Sequence, residues 1–191
     1  MDEDLWSKKR VNDIVRMVKP KKNEQILDLG CGIGVVSLEC AKRGSNVLAL
    51  DFSSNALAKT NMSARKLGVS GKINLVQANA DALPLKPSKL TKVVAADLVE
   101  HLYPQQFKFM LQECNRALRA GGELHIYTPN PDVNPILVRT IGILERFVKR
   151  FKKTTSKISK SISLKDGNGL IVVTGHGKEA LAEVLTIFLR Q

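Results

Sequence analysis

Between residues 24 and 130 the chain alternates short, uninterrupted apolar runs with stretches whose apolar positions recur every three or four residues. Continuous runs of Val, Ile, Leu and Ala suit strands buried on both faces, and the longer period suits helices that bury one stripe. The strands predicted in this way are "EQILDLG", "NVLALD", "KINLVQA", "TKVVAAD" and "GELHIYT". The helices fall at 34–43, 53–67 and 104–119, with Gly44, Gly68 and the pair Gly121 and Gly122 just past their ends as caps. Such alternation predicts an α/β fold: a doubly wound, mostly parallel sheet of five to seven strands with helices on both faces.

Ahead of the first strand, "LWSKKRVNDIVRMVK" predicts an amphipathic helix with Leu5, Val11, Ile14, Val15 and Val18 inward, so that residues 1–22 cover the sheet. Beyond residue 130 the pattern changes. In the segment 131–168, "NPILVRTIGILERFVKRFKK" sets Leu137, Ile141, Leu144, Val148 and Phe151 along one stripe, and a polar Ser/Lys-rich stretch follows. Residues 169–191 offer one strand, "LIVVTG", and one helix, "KEALAEVL", after which the chain either extends the helix or forms a strand "TIFLR". The 191 residues suit a single domain with its core at 24–130.

Composition adds one feature to this outline. Hydrophobic residues at 43% and charged residues at 25% are ordinary for a globular chain, whereas a formal charge of +12 is not. Residues 139–165 hold nine Lys or Arg against the single acid Glu145. A basic run of that kind meets nucleic acid, an anionic membrane or acidic ligands, or is simply solvated. Cys31, Cys40 and Cys114 show neither CxxC spacing nor a partnering histidine pair, which argues against zinc and against a disulfide framework. A reducing cytoplasmic setting is expected. The start "MDEDLWSKKR" is acidic where a signal peptide is basic, and no apolar run reaches the roughly 20 residues of a membrane span.

The first strand ends in "GCGIG", where Gly30, Gly32 and Gly34 lead into a helix. In an open α/β sheet that is the ligand crevice, and glycines there let a ligand approach the main chain. A dinucleotide turn would carry its third glycine at position 35, which is Val35, and no Lys-Ser or Lys-Thr pair follows as in a phosphate-binding loop. Asp51, at the end of the second strand, suits a ribose diol, because its two oxygens accept both hydroxyl protons. It also suits the N-cap of the next helix, a role open to Ser53 as well.

Taken in order, "ILDLGCGIG", "LALDFS", "VQANADALPL", "VVAADLVEHL" and "ALRAGGELHIYTPN" closely resemble the successive motifs of the class I S-adenosylmethionine-dependent methyltransferases, over roughly residues 24–130. The resemblance implies a Rossmann-like fold and S-adenosylmethionine as cofactor. It places Asp28, Gly30, Gly32 and Gly34 along the methionine and ribose part, Asp51 on the ribose hydroxyls and Phe52 against the adenine. Asn79 stands where the family usually has an aspartate, and its carbonyl oxygen can still accept from the adenine amino group. Asp81 is the neighbouring alternative, and Ala80 or Ala82 offers a backbone N–H to the ring. Asp97 and Leu98 match the stretch beside the transferred methyl.

A methyl sulfonium is already a strong electrophile, so the protein's task is to align a nucleophile with it in a screened site, and no metal is called for. For a hydroxyl acceptor a general base helps, and His101 is the candidate because it closely follows the fourth strand; its alternative is a packing or helix-start histidine. The "EHLYP" and "TPNP" segments look most like methyltransferases of small, quinone-type or lipid-type acceptors. The stripe at 136–153 fits a lid over the site and also a segment that lies in a membrane interface. RNA methylation is the competing class; aromatics for base stacking are scarce at 5%, and no Asn-Pro-Pro-Tyr-like sequence follows the fourth strand. A domain that binds the cofactor and transfers nothing is the third reading.

Overall fold

Six strands form one sheet: β1 (Gln25–Leu29), β2 (Asn46–Asp51), β3 (Ile73–Gln77), β4 (Leu90–Ala96), β5 (Leu118–Thr128) and β6 (Gly169–Thr174). The structure is a computed structural model that describes the backbone of residues 3–128 and 169–174 and the side chains of residues 8–127. The basic stripe at 136–153, the Ser/Lys-rich stretch and the helix expected at "KEALAEVL" lie outside the described residues. The strands are ordered β3-β2-β1-β4-β5-β6, parallel throughout except for β6, which runs antiparallel to β5 with Val172 opposite His125. All five strands predicted in the core are present, and "LIVVTG" is the sixth.

The continuous apolar runs follow from burial on both faces. Alternate residues Ile26, Val47, Ala49, Ile73 and Val94 pack under α1 (Glu3–Val18), α2 (Val35–Lys42) and α3 (Ser54–Lys66). Their neighbours Leu27, Leu29, Leu50, Val93 and Ala95 pack under α4 (Pro104–Ala117). The covering helix places Val11, Ile14, Val15 and Val18 in the core as expected, while the side chain of Leu5 lies outside the described residues.

One local expectation fails. Gly121 and Gly122 do not cap α4, because the helix passes directly into β5 through Leu118, which is already extended at φ −68° and ψ 137°. The glycines instead absorb a slip between β4 and β5. Leu90 pairs with Leu118 and Lys92 with Glu123, so β5 carries more residues than β4 between the two pairs and must bulge. Gly121 takes φ 75° in that bulge, and a Cβ on Gly122 would stand only 3.0 Å from the Arg119 carbonyl oxygen.

Candidate functional site

The sheet's order reverses between β1 and β4. From β1 the chain proceeds through β2 to β3 on one side, then returns to lay β4 on the other, so the connections leaving β1 and β4 diverge and open a crevice at their carboxyl ends. The glycine turn fills this place. Gly30 and Cys31 both donate to the Leu50 carbonyl oxygen, at 2.8 and 2.9 Å, and Gly34 donates to the Cys31 oxygen at 2.8 Å.

The three glycines have three different reasons. A Cβ on Gly30 would lie 2.9 Å from Leu98 Cδ1, so Gly30 makes room for the residue following β4. A Cβ on Gly34 would lie 2.4 Å from Thr60 Cγ2 and 2.6 Å from its Oγ1, so Gly34 makes room for α3. Gly32, at φ 53°, has nothing within 4 Å of the same position. Only Gly32 presents bare backbone to open space.

Asp28 is 2% exposed and lies beneath this turn rather than in the crevice. Its carboxylate accepts the hydroxyl of the buried Ser37 and that residue's backbone N–H, in the first turn of α2. Asp28 therefore acts as the cap that the glycine N-cap cannot provide. Burial pushes its carboxyl up to about 6 against the pull of those hydrogen bonds.

Asp51 ties the turn to β2. Its Oδ2 accepts the Gly32 N–H at 2.8 Å and its Oδ1 accepts the Ser53 N–H at 2.9 Å. The N-cap of α3 is Ser53, whose hydroxyl accepts the Ala56 N–H at 3.3 Å, so Asp51 is released from capping. Each carboxylate oxygen keeps further acceptor capacity on the crevice side of the turn. Phe52 follows with 76% of its surface exposed among the described residues, an unusual setting for a large ring. Gln77 Nε2 donates to the Phe52 carbonyl oxygen at 3.0 Å and the Ala78 N–H donates to that of Asp51 at 3.1 Å, which brings the end of β3 alongside. Asn79 there is exposed, and Ala80 and Asp81 are half-buried.

On the other side of the crevice, β4 ends in Asp97 with φ 52°, a left-handed conformation that aspartate tolerates better than most residues. Its N–H donates to the Tyr127 oxygen at 2.9 Å, and its Oδ2 lies 3.1 Å from Arg10 Nη1 on α1. Its Oδ1 is buried without a hydrogen-bond partner among the described residues. Burial raises the Asp97 carboxyl, opposed by the positive charge of Arg10 and then by His101. Leu98 leans on Gly30, and exposed His101 closes a short 3-10 turn, Val99–His101.

A sequence family described as a methyltransferase domain matches residues 26–122, from the start of β1 to the bulge in β5. The chain belongs to this methyltransferase family. Among curated proteins, the methyltransferase domain is 28% identical over 120 residues to a ubiquinone biosynthesis O-methyltransferase of Cupriavidus pinatubonensis, covering 62% of this chain and 47% of that protein. It is 27% identical over 154 residues to the protein of the same name from Leptothrix cholodnii, covering 80% of this chain and 64% of that one. The chain thus spans about half to two thirds of the length of these relatives. Among solved structures, a Methanococcus maripaludis protein described as an S-adenosyl-L-methionine-dependent methyltransferase superposes with a TM-score of 0.65 at 20% identity, covering 88% of this chain and 84% of that one. The Haemonchus contortus phosphoethanolamine N-methyltransferase, solved with phosphoethanolamine and S-adenosylhomocysteine, gives 0.56 at 22% identity over 63% of this chain and 26% of its own. These structural likenesses establish the fold, Rossmann-like and shared with methyltransferases.

Within the methyltransferase domain, the structure brings together Gly30, Gly32, Gly34, Asp51, Phe52, Asn79, Ala80, Asp81, Asp97, Leu98 and His101 around the carboxyl ends of β1 to β4, and sets Asp28 behind them. Three contributors had no signal in the sequence. Ser37 and Thr60 look like ordinary helix residues, yet both are fully buried against the turn, and Thr60 Oγ1 donates to the Gly32 or Ala56 carbonyl oxygen, each at 3.1 Å. Arg10 belongs to a helix whose apolar stripe predicts only covering, and it reaches Asp97 just past the end of β4.

Proposed function

We propose that the domain transfers the methyl group of S-adenosylmethionine to a hydroxyl on a small or lipid-like acceptor. The observation that carries the reading is the conjunction at one crevice of the open face of Gly32, the carboxylate of Asp51 and the exposed ring of Phe52. These fit the cofactor's parts: a close approach for the ribose and methionine chain, acceptors for the diol, and an apolar face for the adenine. Asn79 and the Ala80 amide flank the same ring edge. The cofactor, when bound, supplies an activated methyl that any aligned nucleophile can take.

The chain's own contribution is alignment and screening. Asp97 and Leu98 form the wall beside the methyl, and Arg10 holds the covering helix α1 against that wall. His101, exposed just beyond, is placed to accept the acceptor's hydroxyl proton. The relatives named as ubiquinone biosynthesis O-methyltransferases support an acceptor with an apolar body. The basic amphipathic stripe at 136–153 supports delivery of that acceptor from an anionic membrane surface, where each nearby Lys or Arg adds about 1 kcal/mol. None of the described helices is long and apolar enough to cross a membrane.

Calorimetry with S-adenosylhomocysteine tests the first step: the wild type binds and Asp51→Ala loses most of the heat. Equal binding by both proteins would overturn the ribose assignment. A radiolabelled methyl donor offered to lipid, quinone-like, RNA and protein extracts then identifies the acceptor class, and absence of transfer to all four leaves a cofactor-binding regulator as the correct reading. Flotation on anionic liposomes tests the stripe, with Phe147→Ser/Phe151→Ser expected to stay at the bottom; the membrane reading fails if the wild type does not float.

A further inference from the structure

At the amino ends of the strands, opposite the crevice, the sheet carries a second recess of about 290 Å³. Cover on this face is uneven among the described residues: α4 packs its apolar side on the β4 and β5 half, and the segment after β3 lies over the amino ends of β2 and β3. The floor is apolar, with Leu48 and Leu90 among its residues, while Gln25, Asn46 and Asn74 line it with side-chain amides and Lys86 and Lys89 stand at its side.

The lysine-bearing wall is fixed. Arg116 Nη1 donates to the Leu85 oxygen at 2.6 Å and Nη2 to the Leu83 oxygen at 3.0 Å, and Glu113 accepts the Leu83 N–H at 2.9 Å. Beyond the two lysines' turn, where Ser88 takes φ 59°, the Ser88 and Lys89 N–H groups both donate to the end of α4 at 2.9 Å. The backbone is thus anchored on either side of Lys86 and at Lys89 itself, yet their ammonium groups make no ion pair among the described residues. Lys72 Nζ donates to Asn46 Oδ1 at 3.2 Å, which orients that amide so that its N–H₂ remains a donor. Anchored backbone, uncompensated positive charge, amide donors and an apolar floor suit a small-ligand site, with a volume just below the roughly 300–1,000 Å³ range of such pockets.

We propose that this recess binds a small organic anion: a carboxylate or phosphate monoester carried on a flat apolar body of about one ring. The head lies between Lys86 and Lys89 with the Asn46 and Asn74 amides, and the body covers Leu48 and Leu90. A solvated lysine pair would attract any anion equally; the apolar floor of this open recess adds a preference for the ring.

The test is calorimetry on the full chain at low salt, with S-adenosylhomocysteine present in excess to block the crevice, using phenyl phosphate, inorganic phosphate and phenol as probes. Phenyl phosphate should bind at least tenfold more tightly than inorganic phosphate, and phenol not detectably. Lys86→Glu/Lys89→Glu should abolish the phenyl phosphate heat while leaving S-adenosylhomocysteine binding intact; if charge reversal unfolds the protein, Lys86→Gln/Lys89→Gln serves, with a loss of tenfold or more. No heat from phenyl phosphate, equal affinity for the two phosphates, or binding indifferent to both lysine variants would each overturn the proposal. Failure of S-adenosylhomocysteine to bind would count against the function proposed for the crevice alone, since the lysine variants report on the recess independently.

Discussion

Replacing Gly32 and Gly34 one at a time separates what the turn does for a ligand from what it does for the fold. Alanine at Gly32 meets nothing within 4 Å, so its cost to the protein is the left-handed backbone alone, about 1–2 kcal/mol. Alanine at Gly34 bears a similar backbone cost and also collides with Thr60, whose side chain is fully buried and whose hydroxyl donates to the Gly32 or the Ala56 carbonyl oxygen, each at 3.1 Å. Overpacking of a site that cannot yield adds about 1–3 kcal/mol, so Gly34→Ala should lose about 2–5 kcal/mol in all. That is a large part of the roughly 5–15 kcal/mol that holds an ordinary domain folded.

Urea unfolding of each variant, followed by calorimetry with S-adenosylhomocysteine, reads both effects. Gly32→Ala should remain folded and bind at least tenfold more weakly, because its methyl occupies the space a ligand needs. Gly34→Ala should be the less stable of the two, and Thr60→Ala added to it should restore part of the loss, since contacting residues couple by about 0.5–3 kcal/mol. Wild-type affinity in Gly32→Ala would refute the placement of the ligand on the open face. A Gly34→Ala protein as stable as Gly32→Ala, or a double variant showing no coupling, would refute the packing argument.

Phe52→Ala should leave the unfolding midpoint within about 0.5 kcal/mol of wild type, because the ring is 76% exposed, while affinity for S-adenosylhomocysteine falls about tenfold; unchanged affinity would remove Phe52 from the adenine site. For Asp28, burial lifts the folded carboxyl from 3.8 to about 6, so the stability linked to its proton is complete below about pH 3.8 and lost as pH rises through about 6. Asp28→Asn keeps an oxygen for the Ser37 hydroxyl and should gain on wild type by up to roughly 3 kcal/mol between about pH 4 and pH 7.5, measured by unfolding at both; a pH-independent difference would contradict the burial argument. Arg10→Ala removes the positive charge beside Asp97 and should move that carboxyl's NMR titration upward, with a stability change below about 1 kcal/mol because the ion pair is part-exposed; an unmoved titration would mean the contact does not form.

Where sequence reading succeeded, burial decided the matter locally. Strands buried on both faces read as continuous apolar runs, whereas the N-cap of α3, open in the sequence between Asp51 and Ser53, is taken by Ser53 in the structure. It failed where distant segments decide. Glycines after a helix ordinarily cap it, but Gly121 and Gly122 answer to the mismatch between β4 and β5, which no window around them contains. Thr60 is conspicuous only once Gly34 stands against it, and Arg10 only once Asp97 does. The side chain of Asp28, a residue that the resemblance assigns to a motif lining the cofactor with its backbone, bonds to Ser37, a partner the motif does not name.

The spacing of the glycines now has a physical reason. A turn of the dinucleotide kind uses a late third glycine for helix–strand packing, whereas here Val35 occupies that position part-exposed and the glycine one residue earlier serves the packing of α3. Moving the close contact from the strand to Thr60 lets the Thr60 hydroxyl reach the Gly32 carbonyl, while Asp51 holds the Gly32 N–H from the other side. Gly32, the open one of the three glycines, is thus held at both of its backbone polar groups, and one of the two anchors is the acid proposed for the ribose. Under the proposed role of Asp51, recognition and turn geometry cannot be varied separately: removing its carboxylate also releases the Gly32 N–H. Such coupling favours pre-organisation, because the backbone is already held in the shape the ligand requires before it arrives.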